Sequence, residues 1–174
     1  MDKQTLRKWA KETRKELDMV ALSSVLAEKL IQTEVYKNAK NIMLFYPLEY
    51  EVNLLSLLSD TSKRFYLPRV NGQILECCEY KNGDELCESC FHTLEPTCKP
   101  CEVSEVDLII VPALACDKNK YRLGYGKGYY DRFLSTISRV KKIVCISSKL
   151  VVDTVYPEKH DIKADLIITE LFSC

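Results

Sequence analysis

Residues 106–114 have the sequence VDLIIVPAL, in which every residue from Leu108 to Pro112 is apolar. A short apolar run without alternation is typical of a strand that is buried on both faces of a parallel sheet. Outward from this segment, the same kind of run predicts strands at 42–46, 64–68, 141–147 and 164–171, and a further strand nearer an edge at 72–80. The chain therefore contains the apolar runs from which a covered sheet is built.

Segments with helical spacing alternate with these runs. Residues 2–17 carry six basic and three acidic side chains and predict an amphipathic helix, whose apolar face contains Leu6, Trp9, Ala10, Thr13 and Leu17. We expect a second helix to begin at Ser23 or Ser24, a third to span 53–60 with Asn53 as its N-cap, and a fourth to follow the glycines at 124–128. Strands that alternate with helices predict an α/β protein, with three α/β/α layers around a mostly parallel, Rossmann-like sheet.

Length, charge and hydropathy narrow the class of protein. The 174 residues suit a single domain spanning 1–174, because single cores usually reach about 100–200 residues. The 25 basic and 25 acidic side chains give no net charge, which argues against a general nucleic-acid binder. No apolar run approaches the roughly 20 residues needed to cross a bilayer, and the N-terminus is charged. We therefore expect a cytoplasmic protein that binds neither nucleic acid nor membrane.

Nine cysteines are many for such a chain, and six of them lie between residues 77 and 101. The number is odd and no export signal is evident, so we expect reduced thiols rather than a disulfide framework. Residues 81–105 lack a regular period and are interpreted as a long loop. Within it, Cys87-x-x-Cys90 and Cys98-x-x-Cys101 have the pairwise spacing of a zinc site. A zinc site and a redox pair are the alternatives to the favoured interpretation of plain reduced thiols.

Residues 122–131, RLGYGKGYYD, contain three of the five glycines, at every second position. Glycine permits positive φ, so successive backbone N–H groups of such a loop can converge on an anion. Arg122 and Lys127 add positive charge, the following helix presents its N-terminus, and Asp131 suits Mg²⁺ beside a phosphate. The pattern is neither a Walker A motif nor the Rossmann fingerprint. It predicts a phosphate-binding loop, and the alternative is a glycine-rich turn that serves only close packing.

Several segments together carry a resemblance that covers almost the whole chain. They are DLIIVP at 107–112, Asp117, RLGYGKGYYDRFL at 122–134, KQTLR at 3–7, residues 45–51, and His160 with Asp161. In these segments the chain resembles the 5-formyltetrahydrofolate cyclo-ligases, also called methenyltetrahydrofolate synthetases. Ala113 and Cys116 stand where the family pattern has glycine and phenylalanine, which bears on local packing. Residues 81–105 correspond to a variable loop of the family, which is rich in cysteine here.

The resemblance implies an enzyme that converts 5-formyltetrahydrofolate to 5,10-methenyltetrahydrofolate and releases ADP and phosphate. Mg²⁺ is the implied cofactor and ATP the implied co-substrate. Transfer of the γ-phosphoryl group to the formyl oxygen would give an iminium phosphate, which N10 then attacks. Such a transfer depends mainly on positioning and charge neutralisation, so it requires no nucleophilic side chain. We expect the enzyme to be a monomer.

The resemblance also implies roles for individual residues. The residues that would bind ATP are Lys3, Arg7, Arg122, Gly124, Gly126, Lys127, Gly128, Tyr129 and Tyr130. Those with an implied catalytic role are Arg122, Lys127 and Asp131. Asp131 and Asp161 correspond to Mg²⁺ ligands, and Tyr46 and Glu51 to folate-contacting positions. We expect His160 to be structural rather than catalytic.

Two other kinds of function stay open on the residues alone. One is a non-enzymatic nucleotide- or zinc-binding regulatory module, in which the glycine loop binds a phosphate and the cysteine loop contacts a partner. The other retains the fold with different chemistry, as in sugar-phosphate isomerases or CoA transferases, because architecture alone does not determine function. The sequence offers no Ser/His/Asp or Cys/His set that would point to nucleophilic catalysis.

Overall fold

The computed structural model describes residues 2–89 and 92–174. The α-helices in these ranges are α1 (Lys3–Lys15), α2 (Met19–Gln32), α3 (Glu34–Asn38) and α4 (Tyr129–Ser135). The strands are β1 (Asn41–Met43), β2 (Arg64–Asn71), β3 (Ile74–Glu79), β4 (Leu86–Glu88), β5 (Leu94–Pro96), β6 (Leu108–Ile110), β7 (Ala115–Asp117), β8 (Arg122–Leu123), β9 (Lys141–Cys145), β10 (Val151–Val152) and β11 (Leu166–Ile168). Short 3₁₀ helices lie at Leu55–Ser59, Val103–Glu105 and Ser148–Leu150. In the part of the chain so described, no helix is both long and apolar enough to cross a membrane.

Six strands form the central sheet in the order β11-β9-β6-β1-β2-β3. Every neighbouring pair is parallel except β2 and β3, which are antiparallel. The mostly parallel sheet is thus confirmed, and β3 lies at its edge, as the sequence predicted. Strands β10, β7 and β8 form a second small sheet, and β4 pairs with β5.

Alternate side chains of the central strands face two separate groups of core residues. Leu108 and Ile110 of β6 belong to the group that contains Leu26 of α2, whereas Ile109 belongs to the group that contains Leu6 of α1. Helix α3 contributes to the first group and α4 to the second. Because side chains alternate between the faces of a strand, this division puts helices on both faces of the sheet. The three-layer α/β/α arrangement is therefore confirmed.

The predicted start of the second helix is wrong. Helix α2 begins at Met19, and its N-cap is Asp18, whose carboxylate accepts a hydrogen bond from the amide of Ala21. Ser23 lies inside the helix, where its hydroxyl donates to the carbonyl of Met19 at 2.6 Å. An aspartate at N-cap competes well with serine, and a serine inside a helix can bond to the carbonyl four residues before it. The first helix begins as predicted, with Asp2 as its N-cap.

Residues 53–60 do not form the predicted α-helix. They contain the 3₁₀ helix at Leu55–Ser59, in which the amides of Leu57 and Asp60 each bond to a carbonyl three residues earlier. Asn53 bonds through its side chain to the amide two residues ahead, at 3.0 Å, which is an Asx-type turn rather than an α-helical cap. Short 3₁₀ turns of this kind are common connectors.

Residues 81–105 are more ordered than the predicted loop. Strands β4 and β5 pair as an antiparallel hairpin, with Leu86 opposite Pro96 and Glu88 opposite Leu94. The hairpin is tied to the sheet because Arg69 of β2 donates a hydrogen bond to the carbonyl of Cys98 at 2.6 Å. Strands of three residues are too short to show a period in the sequence, which explains why the pattern gave no signal.

The cysteine cluster does not assemble as a metal site in the described ranges 2–89 and 92–174. The cysteines there are free thiols, and no group of three or more His, Cys, Asp or Glu side chains is placed to hold a metal ion. The thiol of Cys98 donates to the carbonyl of Glu79 at 3.2 Å, and that of Cys87 to the carbonyl of Glu95 at 3.5 Å. Cys90, the fourth cysteine of the zinc alternative, lies outside the described residues.

Truncation of a central strand residue tests this core. Ile109 is fully buried in β6, whereas Ile74 in β3 is 66% exposed. We expect Ile109→Ala to lower the free energy of unfolding by about 2–5 kcal/mol, because the substitution leaves a cavity between packed layers. The matched control, Ile74→Ala, should lower it by less than about 1 kcal/mol. Urea denaturation followed by circular dichroism measures both changes, and equal effects of the two substitutions would contradict the core described above.

Candidate active site

A cavity of about 520 Å³ lies at the edge of the sheet where β1 and β6 end. Phe45 and Tyr46 follow β1, Pro112 follows β6, and all three line the cavity. This edge is where open α/β sheets usually bind ligands. The structure brings together here every residue for which the sequence suggested a role: Lys3, Arg7, Tyr46, Glu51, Arg122, Gly124, Gly126, Lys127, Gly128, Tyr129, Tyr130, Asp131 and Asp161.

Two of the three glycines in the loop have the positive φ that the sequence predicts. Gly126 and Gly128 have φ angles of 95° and 69°, which residues other than glycine rarely adopt. A Cβ atom on Gly126 would lie 3.2 Å from Cζ of Arg7, and one on Gly128 would lie 2.7 Å from a guanidinium nitrogen of Arg132. The glycines therefore serve close packing of two arginine side chains as well as the turn itself.

Two arginines contact the glycine loop: Arg7 from α1 and Arg122 from the loop's own first residue. Nε of Arg7, on α1, donates to the carbonyl of Gly124 at 2.9 Å. Arg122 is buried and pairs with Asp131 at 2.9 Å, and its guanidinium carbon lies 5.7 Å from the centre of the Tyr130 ring. Nε of Arg122 and the hydroxyl of Tyr130 are buried and have no hydrogen-bond partner among the described residues. Buried donors without partners are uncommon and suit a ligand that accepts hydrogen bonds.

Lys3, at the start of α1, forms two ion pairs at the cavity. Nζ of Lys3 lies 2.8 Å from a carboxylate oxygen of Glu158 and 2.8 Å from one of Asp161. Burial alone would raise the pKa of Asp161, but hydrogen bonds from Lys3 and from the amide of Glu158 outweigh it and hold this pKa below its ordinary value. Both Asp161 and Lys3 are therefore charged at neutral pH.

Glu51 is held by an arginine that the sequence reasoning did not single out. Arg14 lies 3.6 Å from Oε1 of Glu51, and both residues are buried. Tyr125 of the glycine loop donates a hydrogen bond to the same oxygen, and Oε2 accepts one from the amide of Leu48 at 2.9 Å. Arg14 follows Lys3 by eleven positions and Arg7 by seven, which puts all three on one helical face. That spacing was the signal that could have identified it.

The hairpin of β4 and β5 contributes a further carboxylate that the sequence gave no reason to expect. Thr93, Leu94 and Glu95 all line the cavity, and Thr93 donates to the carbonyl of Tyr46 at 3.3 Å. Glu95 is buried, and burial raises the pKa of its carboxyl above the ordinary value. The apolar part of the lining includes Phe45, Leu48, Pro68, Val70 and Leu75.

His160 also lines the cavity, but its side chain is largely exposed. Its Nε2 lies 3.8 Å from Asp161 and 3.9 Å from Glu158, at the long end of ion-pair distances. These contacts decide neither for nor against catalysis, so its structural role stays a prediction.

Known proteins are similar to this chain in sequence and in structure. The sequence profile described as "5-formyltetrahydrofolate cyclo-ligase family" matches residues 1–170. The 5-formyltetrahydrofolate cyclo-ligase of Mycoplasma pneumoniae is 27% identical, over 98% of this chain and 99% of its own, and that of Mus musculus is 25% identical, over 97% and 89%.

Two solved structures have the same fold. The NMR structure of Aquifex aeolicus 5,10-methenyltetrahydrofolate synthetase has a TM-score of 0.85 and 31% identity, over 99% of this chain and 92% of its own. The 5,10-methenyltetrahydrofolate synthetase from Mycoplasma pneumoniae has a TM-score of 0.79 and 27% identity, over 98% and 99%. The match of the profile to nearly all residues means that this chain belongs to the 5-formyltetrahydrofolate cyclo-ligase family.

Proposed function

We propose that this chain catalyses the ATP- and Mg²⁺-dependent closure of 5-formyltetrahydrofolate to 5,10-methenyltetrahydrofolate, with release of ADP and phosphate. The observation that carries the proposal is one cavity in which a cationic glycine loop adjoins a wall with Tyr46 and the buried carboxylate of Glu51. ATP suits the cationic loop, and the folate suits the wall with Tyr46 and Glu51. The family is one of enzymes, which favours this function over the alternative of a regulatory module.

The reaction removes an oxygen atom that is a poor leaving group in water. The formyl oxygen attacks the γ-phosphorus of ATP, the bond from that phosphorus to the bridging oxygen breaks, and ADP leaves. N10 then attacks the carbon of the iminium phosphate and loses its proton, while the carbon–oxygen bond breaks and phosphate departs. The 5,10-methenyl cation is the product. Because no protein atom becomes covalently bound, the side chains have to position the substrates and neutralise charge.

The triphosphate would be bound by Lys3, Arg7, Arg122 and Lys127. Arg7 is already anchored by the carbonyl of Gly124, so little side-chain freedom is lost when it contacts phosphate. Nε of Arg122 is a buried donor without a partner among the described residues, and an oxygen of the nucleotide would satisfy it. Lys127 is exposed at the mouth of the cavity and adds charge there.

Asp131 and Asp161 are the residues suited to Mg²⁺, which usually binds one or two carboxylates together with substrate phosphates. The residues fit this ion, because both supply oxygen ligands and both line the cavity beside cations that we assign to the phosphates. When bound, Mg²⁺ supplies charge neutralisation of the phosphate oxygens. Asp161 pairs with Lys3, and Asp131 with Arg122. We infer that these cations turn to phosphate when the carboxylates contact the metal.

The folate would lie against Glu51 and Tyr46. The donor-rich edge of a pterin calls for a carboxylate, and Glu51 is held in a defined orientation by Tyr125 and by the amide of Leu48. A carboxylate has about four acceptor sites, so these bonds leave capacity for a ligand. Phe45, Pro68 and Leu75 supply an apolar surface for the ring system.

A direct assay tests the proposal. Purified protein mixed with 5-formyltetrahydrofolate, ATP and Mg²⁺ should form the methenyl product, followed by its absorbance, with one ADP released per product. Omitting ATP, or chelating the metal with EDTA, should abolish both signals. The proposal is wrong if no product forms when the enzyme concentration equals that of the folate.

Substitutions on one helix test the assignment of the ATP-binding cations. We expect Lys3→Ala and Arg7→Ala each to weaken ATP binding by about 1.5–3 kcal/mol, the usual value of a hydrogen bond to a charged group. Lys8→Ala removes the same charge from an exposed position of α1 and should leave ATP affinity unchanged within about twofold. Isothermal titration calorimetry with MgATP measures all three affinities. Equal losses in the three variants would mean that only the net charge of the helix matters.

The role of Asp131 can be separated from its contribution to the fold. Asp131→Asn preserves the shape of the side chain and an acceptor for Arg122, but removes the charge that suits a metal ion. We expect kcat to fall by about 10²-fold or more. The thermal midpoint should also fall, because buried Arg122 loses its anionic partner, so circular dichroism at the assay temperature has to show that the variant is folded. Asp153→Asn is the control, because the side chain of Asp153 is 98% exposed. Full activity of Asp131→Asn would exclude this carboxylate as a necessary metal ligand.

A further inference from the structure

Arg14 is a buried cation to which the reaction above gives no task. It lies in the last turn of α1 and is 5% exposed. Its guanidinium group donates to the carbonyl of Ala113, which follows β6, and to the hydroxyl of Tyr125 at 3.0 Å. It also lies 3.6 Å from Glu51. One side chain thus contacts the segment after β6, the glycine loop and the proposed folate carboxylate.

The hydroxyl of Tyr125 stands between the two charges. A phenol has one proton, and Tyr125 donates it to Glu51, so its oxygen is left to accept the bond from Arg14. Burial raises the pKa of Tyr125 above its ordinary value, so the hydroxyl remains protonated at neutral pH. Arg14 therefore donates to Tyr125, and Tyr125 donates to Glu51.

Arg14 is the buried cation that faces Glu51. A buried carboxylate without a counter-ion is strongly disfavoured. Arg122, a buried arginine that lines the cavity, is paired with Asp131 instead. Arg14 is thus the cation placed to compensate Glu51, whose carboxylate oxygens can accept bonds from a pterin.

We propose that Arg14 is a positioning residue for the folate: it holds the Glu51 carboxylate in a fixed orientation, and it does so partly through Tyr125. This inference rests on the proposed function. Tyr125 belongs to the glycine loop, but this inference assigns it to the binding of 5-formyltetrahydrofolate rather than of ATP. The remaining loop residues keep their proposed contacts with the nucleotide.

Steady-state kinetics with both substrates varied test the assignment. Arg14→Gln should raise KM for 5-formyltetrahydrofolate by about tenfold or more, and Tyr125→Phe by about threefold to tenfold, since each removes hydrogen bonds linked to a charged group. KM for ATP should change by less than about twofold. Arg14→Lys restores the charge without the planar fork and should recover part of the loss. Lys15→Gln, which removes an exposed cation from the next position, should leave both constants unchanged.

A double substitution separates this role from simple support of the fold. If Arg14 acts through Glu51, then Arg14→Gln adds little to the KM of the Glu51→Gln variant, so the two effects are not additive. The double variant should also melt at a higher temperature than Arg14→Gln alone, because it leaves no unpaired buried charge. Additive effects on KM, or a lower melting temperature of the double variant, would contradict the proposal.

The outcomes keep this inference apart from the proposed function. Absence of turnover by the unmodified protein would refute the function itself. An active protein in which Arg14→Gln and Tyr125→Phe retain the KM for 5-formyltetrahydrofolate within twofold would refute the inference alone. If Arg14→Gln does not fold, Tyr125→Phe carries the test, since it removes only a hydroxyl group. A rise in KM for ATP but not for the folate would assign Tyr125 to the nucleotide instead.

Discussion

Parallel pairing of β1 and β6 is the constraint from which the position of the cavity follows. The hydrogen bonds of the sheet continue past both strands, since Leu44 donates to the carbonyl of Tyr66 and Val111 to that of Ile143. The next residue after Val111 is Pro112, which has no N–H group and cannot extend the ladder. Parallel strands end at the same edge, so the segments that follow them are brought side by side there. The cavity lies between those segments.

Packing of α1 across this edge supplies the positive charge. Leu6 and Ala10 are buried in the core on one face of the sheet, which fixes how the helix is rotated. Lys3, Arg7 and Arg14 repeat at intervals of four and seven, so the same rotation directs them to a common side. One amphipathic helix thereby brings Lys3 and Arg7 to the cavity lining and Arg14 to Glu51 and Tyr125, which line it. This geometry explains why a helix with many charges belongs to the site and is not merely a solvated surface.

Much of the fold could be predicted, because buried parallel strands are continuous apolar runs and β6 is the clearest of them. The errors have local causes. The sequence predicts that α2 starts at Ser23 or Ser24, because a serine before an apolar segment is a good N-cap, but Asp18 is the N-cap in the structure. Strands β4 and β5 were missed because three residues do not establish a period.

The candidate site was predictable to a different extent. The conformation of the glycine loop follows from its sequence, since positive φ at Gly126 and Gly128 needs glycine. The roles of Glu51 and Asp161 came only from the family resemblance, because an isolated carboxylate has no distinguishing pattern. Arg14 was only one of the six basic side chains counted in residues 2–17, and Glu95 fell in a segment without a period. Burial of a charged side chain is a tertiary property that local sequence does not encode.

Two kinds of ion pair occur at the cavity and behind its lining. The pairs of Lys3 with Asp161 and of Arg122 with Asp131 join residues that we assign to phosphate and to metal, so ligands of opposite charge can replace each partner. The pair of Arg14 with Glu51 is different, because Arg14 is not among the described residues that line the cavity and no ligand is assigned to replace Glu51 as its partner. Separating it would leave a buried charge uncompensated. The first two pairs are therefore suited to exchange during turnover, and the third to staying intact while they do.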